Sequence, residues 1–451
     1  MSAQPLGTPL GSPWSRAVAR DGRGVVTVGG IGVDGLADTH GTPLYVVDGD
    51  ELRARCRAYV AAFGADRVIY AAKAWPTTAI LQVVAAEGLL VDVASGGELH
   101  TALAAGVDPA RIVLHGNNKS AEELDRALDV GVGRIVVDAM EELERLDTLA
   151  RARGVRAPVL LRITPGIDAH THEYVRTGHD DAKFGFTLSL GLADAALART
   201  LALPGLELLG IHAHIGSQVF GTDAFVANAE ALVDLAARWR DEHGVELRDL
   251  DLGGGMGVAY TGEDDPVDVA DVADAMLAAV QARAEAHGLA VPTVLVEPGR
   301  AIVGPTTLTL YRVGVVKDLP GLSRWVAVDG GMSDNLRPAL YGATHPVVLA
   351  GRTSDAPDGP VMLVGKHCES GDVLGTGLPL PGDVVAGDLV AMAVTGAYTE
   401  AMASNYNRLP RPAAVLVEGG VARTIVRRET VDDLLRRDVA LDDAASPGAG
   451  A

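Results

Sequence analysis

Residues 67–106, RVIYAAKAWPTTAILQVVAAEGLLVDVASGGELHTALAAG, decide the fold. A short apolar run, VIYAAK, ends at Lys73 and is followed by an Ala-rich amphipathic stretch. A second run, LLVDVAS, ends at Ser95, and another helical pattern closes on Gly106. Strand-length apolar runs alternating with stretches of helical period are βα units around a parallel sheet. The alternation continues through RIVLHG ending at Gly116, RIVVDA at Ala139, VLLRITP at Pro165, LLGIHAHIGS at Ser217, LRDLDLGGG at Gly255 and TVLVEPGR at Arg300. Eight such units over about 235 residues predict an α/β fold with a (β/α)8 TIM barrel.

After Arg300 the texture changes to β-branched runs between Gly/Pro turns, such as TLTLYRVGVVKDL, RWVAVDGG and AAVLVEGGVARTIVRR, which predicts a β-sheet domain. The N-terminal stretch RGVVTVGGIGVDGLADTHGTPLYVVD has the same character. The expected organisation is therefore N-terminal strands at 1–45 joining the β domain, a barrel at 46–305, a C-terminal β-sheet or β-barrel domain at 306–440, and a disordered tail at 441–451. Residues 170–186, polar and without helical period, are expected to form a mobile loop at the barrel mouth.

The 451 residues carry a net charge of −21, which disfavours nucleic-acid phosphates and anionic lipid surfaces as partners. Two distant cysteines, Cys56 and Cys368, supply neither a disulfide framework nor a paired-cysteine zinc site. No uncharged apolar run reaches membrane-spanning length, and the first residues lack the basic-then-apolar order of an export signal. A cytoplasmic location is expected.

Gly30, Gly32 and Gly35 spell G-x-G-x-x-G after the strand-like VVTV, but LADTHGTPLYVV leads quickly into another strand, so dinucleotide binding is not expected. Lys73 is one of only five lysines beside thirty-three arginines. At the C-terminal end of a barrel strand it faces the catalytic mouth, and apolar neighbours are expected to lower its pKa and free the amine to condense with a carbonyl. The alternative is a solvated lysine at a strand end. GGGMG (253–257) ends the seventh strand and EPGR (297–300) the eighth, where barrels commonly hold phosphate on backbone N–H groups. A carbonyl-binding lysine, a phosphate cradle and an acid on one face describe a pyridoxal phosphate site. Glu297 would then face the pyridine nitrogen, keeping the ring an electron acceptor for decarboxylation. His214 could stack on the ring, with Ser217 reaching the phosphate. His212, two residues before His214, finds no further ligand at suitable spacing, so no metal is expected.

HCESGD (367–372) sets the Cys368 thiol beside Glu369 in a polar loop, where it could donate a proton, although lone cysteines are more often structural. NLRPALYG brings Arg337 and Tyr341 close, and arginine is a natural carboxylate clamp.

The motifs YAAKA, GGELHTAL, HGNNKS, HIGSQ, LGGGMG, EPGR, DGGMSDNLRPALYGA, CESGD and GAYTEAMASNYN run in order from about Gly41 to Glu429. With them the chain resembles the diaminopimelate decarboxylases, a family of fold-type III pyridoxal phosphate enzymes with an alanine-racemase-like barrel. The resemblance implies that Lys73 carries the cofactor and that His214, Ser217, Gly254, Gly255, Glu297, Pro298, Gly299, Arg300 and Tyr398 surround it. It further implies that Arg300, Arg337, Tyr341, Glu369 and Tyr398 hold substrate and that Cys368 is the proton donor. Cys368 and Glu369 would come from the second subunit of a homodimer. The reaction implied is decarboxylation of meso-2,6-diaminopimelate to L-lysine and CO2, the last step of lysine biosynthesis. Alternatives are a decarboxylase of another charged amino acid, of ornithine, arginine or carboxynorspermidine type, and a non-catalytic cofactor-binding regulator.

Overall fold

β-Branched runs too short for helices become eight parallel strands in the computed structural model, which describes residues 7–167 and 183–441. They are β1 (Ile69–Ala71), β2 (Leu90–Val93), β3 (Ile112–Leu114), β4 (Arg134–Val137), β5 (Ala157–Thr164), β6 (Leu206–His212), β7 (Asp249–Asp251) and β8 (Thr293–Leu295). Each falls in a stretch read as a strand above, and they lie side by side in chain order. A parallel bridge between Val68 and Val296 brings β1 against β8, with Ile69 N–H donating to the Val296 carbonyl at 2.8 Å. The barrel is thereby closed. Helices cover its outside, with ends set by local chemistry: Ala121–Val130 starts on a Ser120/Glu123 capping box and stops at Gly131, whose φ of 75° only glycine adopts easily.

The barrel interior is layered. Ile69, Leu90, Val113, Val136, Leu160, Leu209 and Leu295 form one buried apolar layer. Strand side chains alternate between faces, so two residues further along a strand the chain points inward again, one layer nearer the C-terminal mouth. Those positions are Asp92, His115, Asp138, Arg162 and Glu297, all buried. His212 joins them, in register with Arg162 on one side and Asp251 on the other. A polar belt thus rests on an apolar floor.

Leu44–Asp48, which the expected boundary would have split, is one unbroken strand of the second sheet, antiparallel to Thr307–Leu319 and parallel to Ala413–Glu418. Helix Gly49–Phe63 then leads into the barrel. The earlier strands, Thr8–Pro9, Val18–Arg20, Val26–Val28 and Ile31–Gly32, form a four-stranded antiparallel sheet of their own. Its Val18, Val26 and Val28 pack on Leu308, Leu310 and Val415 of the second sheet. A helix, Val33–His40, does follow Gly32 directly, contrary to the expectation above. It follows an antiparallel hairpin instead of a βαβ unit, and the Asp34 carboxylate takes the Gly35 N–H at its start. Most of the 170–186 stretch and the tail beyond residue 441 lie outside the described residues.

Candidate active site

Lys73 lies in a single 3-10 turn, Ala72–Ala74, that ends β1. Its alanine neighbours are fully buried, and the turn is held from the second domain by Tyr398, whose N–H donates to the Ala74 carbonyl at 3.0 Å. Tyr398 adopts a φ of 60°, a conformation side chains rarely take without compensating contacts. The Lys73 side chain lines a cavity at the barrel mouth. Lys73, His214, Ser217, Gly254, Gly255, Glu297, Pro298, Gly299, Arg300 and Tyr398, the residues expected around a cofactor, all line this one cavity.

The expectation that apolar surroundings lower the Lys73 pKa is corrected. Burial alone would lower it, but Tyr398, Asp92 and Glu297 together outweigh burial and raise it. The alanines flank the backbone of Lys73, whereas its amine faces the polar belt.

Glu297 is the centre of that belt. Its Oε1 accepts from His115 Nε2 at 2.7 Å and its Oε2 from His212 Nε2 at 3.1 Å, and the two imidazoles meet edge to face at 4.9 Å. Burial works against the Glu297 anion, but the two histidines outweigh it and hold its pKa well below the usual carboxylate range. Burial pushes His115 down to about 4 and lowers His212, so both rings are neutral N–H donors. Asp92 and Asp251 are driven the other way, well above the ordinary range, by burial and then by the Glu297 charge. Negative charge is therefore favoured on Glu297, and its two carboxyl neighbours are shifted towards their neutral forms. His212 does have companions, contrary to the reading of its spacing, since His115 and Glu297 bring their ligand atoms within 4.8 Å of one another. The contacts at 2.7 and 3.1 Å are hydrogen bonds, with the protons lying where an ion would have to sit.

The two glycine loops close the cavity. A Cβ at Gly254 would lie 2.0 Å from the Glu297 carbonyl, and one at Gly255 would lie 2.1 Å from that of Gly216. Only bare backbone fits there. The Gly254 N–H donates to His214 Nδ1 at 3.3 Å, which leaves Nε2 as the protonated ring nitrogen. Burial, then Lys73 and Arg162, put the His214 pKa well below its usual value, so this ring is also neutral.

Beside the cavity stand two buried guanidinium groups. Arg300 donates to Ser217 Oγ through Nε and Nη2 at 3.3 and 3.2 Å, and to the Tyr260 hydroxyl through Nη1 at 2.5 Å. Arg337 lies 5.5 Å from the Tyr260 ring centre, 5.6 Å from that of Tyr341 and 6.0 Å from that of Tyr398. His345 backs Tyr260 edge-on at 5.2 Å. Among the described residues neither arginine has a carboxylate within ion-pairing distance, and Arg337 Nε is buried without a partner. A buried cation in that state calls for an anion from outside the chain.

Residues 49–304 match the pyridoxal-dependent decarboxylase family, pyridoxal binding domain. The chain is 48% identical over 435 residues to the diaminopimelate decarboxylase of Mycobacterium tuberculosis, covering 94% of this chain and 97% of the relative. It is 46% identical over 420 residues to that of Bacillus subtilis, covering 92% and 95%. The crystal structure of diaminopimelate decarboxylase from M. jannaschii in complex with L-lysine superimposes with a TM-score of 0.88 at 32% identity, over 94% of this chain and 98% of the other. The chain belongs to the diaminopimelate decarboxylases. These are pyridoxal-phosphate-dependent carboxy-lyases with an alanine-racemase-like barrel and a second sheet domain.

The donor set fits the cofactor of a diaminopimelate decarboxylase. Lys73 supplies an amine, Glu297 a permanent anion, His214 a flat neutral ring, and the loops at Gly254 and Gly299 a cradle that a Cβ would fill, since one at Gly299 would lie 2.9 Å from Ala71 Cβ. Arg300, Arg337, Tyr341 and Tyr398, expected at the substrate, come together: both arginines meet Tyr260 and Tyr398, and Arg337 also meets Tyr341. Cys368 and Glu369 do not join them. Both are exposed on the second domain, where Cys368 N–H donates to Asn407 Oδ1 at 2.9 Å and the Tyr406 hydroxyl donates to Glu369 at 3.4 Å. Sequence reading missed Asp92, His115, Arg162, Asp251 and Tyr260. Two-residue spacing from an interior apolar residue is the signal that would have found the first three.

Proposed function

We propose that this chain, as a pyridoxal-phosphate-dependent carboxy-lyase, converts meso-diaminopimelate to L-lysine and CO2, the last step of lysine biosynthesis. The carrying observation is the pair of buried guanidinium groups, Arg300 and Arg337, beside the Lys73 cavity, with no carboxylate of the described residues in ion-pairing distance of either. The single carboxylate of ornithine is the one that leaves as CO2, whereas diaminopimelate keeps a second carboxylate at its far end for the two cations to bind.

Each residue then has a task. Lys73 would hold the cofactor through its side-chain amine. When bound, pyridoxal 5′-phosphate supplies an electron sink for the pair left at the α-carbon as CO2 departs. Glu297, held ionised by two imidazole donors, fixes positive charge on the ring nitrogen. His214 would offer its flat neutral ring to the cofactor's ring, and N–H groups of the glycine loops with Tyr398 would hold its phosphate. Arg300, Arg337 and Tyr341 grip the distal carboxylate, which settles which end of the substrate reacts. Cys368 delivers the proton to the α-carbon and Glu369 receives the distal ammonium.

Those last two residues support a homodimer with shared active sites. They are exposed on the second domain, outside the cavity that holds Lys73, so a second copy of the chain is the natural route by which they reach substrate. Among the described residues no helix is long and apolar enough to cross a membrane, and a cytoplasmic location agrees with that and with the acidic composition.

The deciding experiment is lysine formation from meso-diaminopimelate by the purified protein with added pyridoxal phosphate, with ornithine and arginine as parallel substrates. Lysine alone is the expected product. Turnover of ornithine in its place would overturn the substrate assignment.

A further inference from the structure

His115 closes the Glu297 array from the side opposite His212, and its only link to the reaction above is that hydrogen bond to Glu297. Its place is set with care. Its backbone N–H donates to the Val93 carbonyl at 2.7 Å, fastening the end of β3 to β2. Four residues on, the buried Lys119 Nζ donates to the Gly116 and Val136 carbonyls at 2.6 and 2.7 Å and pairs with Glu142 at 2.8 Å. The loop that carries His115 is thus held to β4 by a hydrogen bond and to the following helix, Met140–Arg153, by a buried ion pair.

A carboxylate with one donor can still turn about its Cγ–Cδ bond. A donor on each oxygen, from two rings on different strands, fixes its plane. We propose that His115 is a positioning residue that, with His212, locks the Glu297 carboxylate in the plane and ionisation state needed at the cofactor's ring nitrogen. This rests on the pyridoxal phosphate decarboxylase reading of the same cavity. Each oxygen accepts one imidazole N–H and keeps a further lone pair for the ring nitrogen. The remaining charged or titratable groups around Glu297 are Lys73, Asp92, Arg162, His212, His214 and Asp251. Burial and the Glu297 charge raise both acids, and the hydrogen bonds that reach the two carboxylate oxygens come from His115 and His212. Outer partners of this kind typically carry about 10- to 100-fold in activity when lost.

The test uses holoenzyme carrying His115→Phe, a ring without a donor, and His115→Gln, whose amide nitrogen reaches the position of Nε2. Two quantities are followed from the lowest pH at which the holoenzyme stays folded up to pH 9: the visible absorption of the bound cofactor and the acid limb of kcat. In His115→Phe both should move up by about one pH unit, with kcat down at least about tenfold and KM little changed. His115→Gln should return both towards wild type. A role in packing alone would lower activity without moving the spectral titration. An unmoved titration in His115→Phe, or a Gln variant no closer to wild type than Phe, overturns the proposal. If His115→Phe does not fold, His115→Ala is judged by the same two readouts. Absence of lysine formation in the wild type would count against the reaction assigned above, whereas the visible band and its pH response test His115 independently.

Discussion

The hydroxyl of Tyr260 lies 2.5 Å from Nη1 of Arg300, and its ring stands 5.5 Å from the guanidinium of Arg337. One tyrosine therefore spaces both cations. Tyr260→Phe keeps the ring and removes the acceptor of a charged hydrogen bond, worth about 1.5–3 kcal/mol. KM for diaminopimelate should rise about tenfold or more with kcat within about twofold of wild type, measured by steady-state kinetics. An equal fall in kcat at constant KM would move Tyr260 from substrate grip to chemistry.

Glu297→Gln retains shape and replaces the anion with an amide. Because the two imidazoles already donate to it, the amide NH2 meets a donor and the array is broken. Turnover should fall by at least about 100-fold while the protein still takes up cofactor, as read from its visible band.

His345 gives a pH signature in stability. It is fully buried beside Tyr260, donates through Nδ1 to the Ala393 carbonyl at 3.0 Å, and burial pushes its pKa to about 3. The unfolded chain protonates this histidine near pH 6.5 while the native state refuses the proton down to about 3. Stability is therefore lost as pH falls below about 6.5. His345→Asn keeps a donor for Ala393 and removes the titration. It should be less stable than wild type at pH 7.5, and the deficit should shrink by about 2 kcal/mol between pH 6.5 and 5, measured by urea unfolding. A constant deficit across that range would refute the assignment.

Complementation tests the shared active site. Lys73→Ala and Cys368→Ala should each be inactive alone. Mixed, dissociated and reassembled, they should recover about a quarter of wild-type activity, since half the dimers are mixed and each of those holds one intact site. No recovery would place both residues in the same subunit's site.

Much of this was legible in the residues themselves. The eight barrel strands could be read because each is a β-branched run ending in a turn residue, and Lys73, Glu297 and the glycine loops because they sit at strand ends. His115, Asp92 and Arg162 were hidden by a different logic: each looks like a polar residue at the edge of an apolar run and gains meaning only when counted two positions from Val113, Leu90 and Leu160 in the interior. Tyr260 carried no signal, because the loop after GGGMG has no period to place it. The pKa of Lys73 was misjudged because its chain neighbours are alanines, while its spatial neighbours are acids from β2 and β8. The helix at Val33–His40 was missed because eight residues ending in THG look like a turn.

Lys73 ends β1 and Glu297 follows β8, so these two residues stand on opposite sides of the line where the sheet meets itself at Val68 and Val296. A ribosome finishes one rim of the site long before it begins the other. Until the last strand docks, Lys73 and Glu297 do not yet face one cavity. Once docking is complete, a cofactor gripped by both residues ties the two edges together, and saturation with it should slow amide exchange most at Ile69 and Val296.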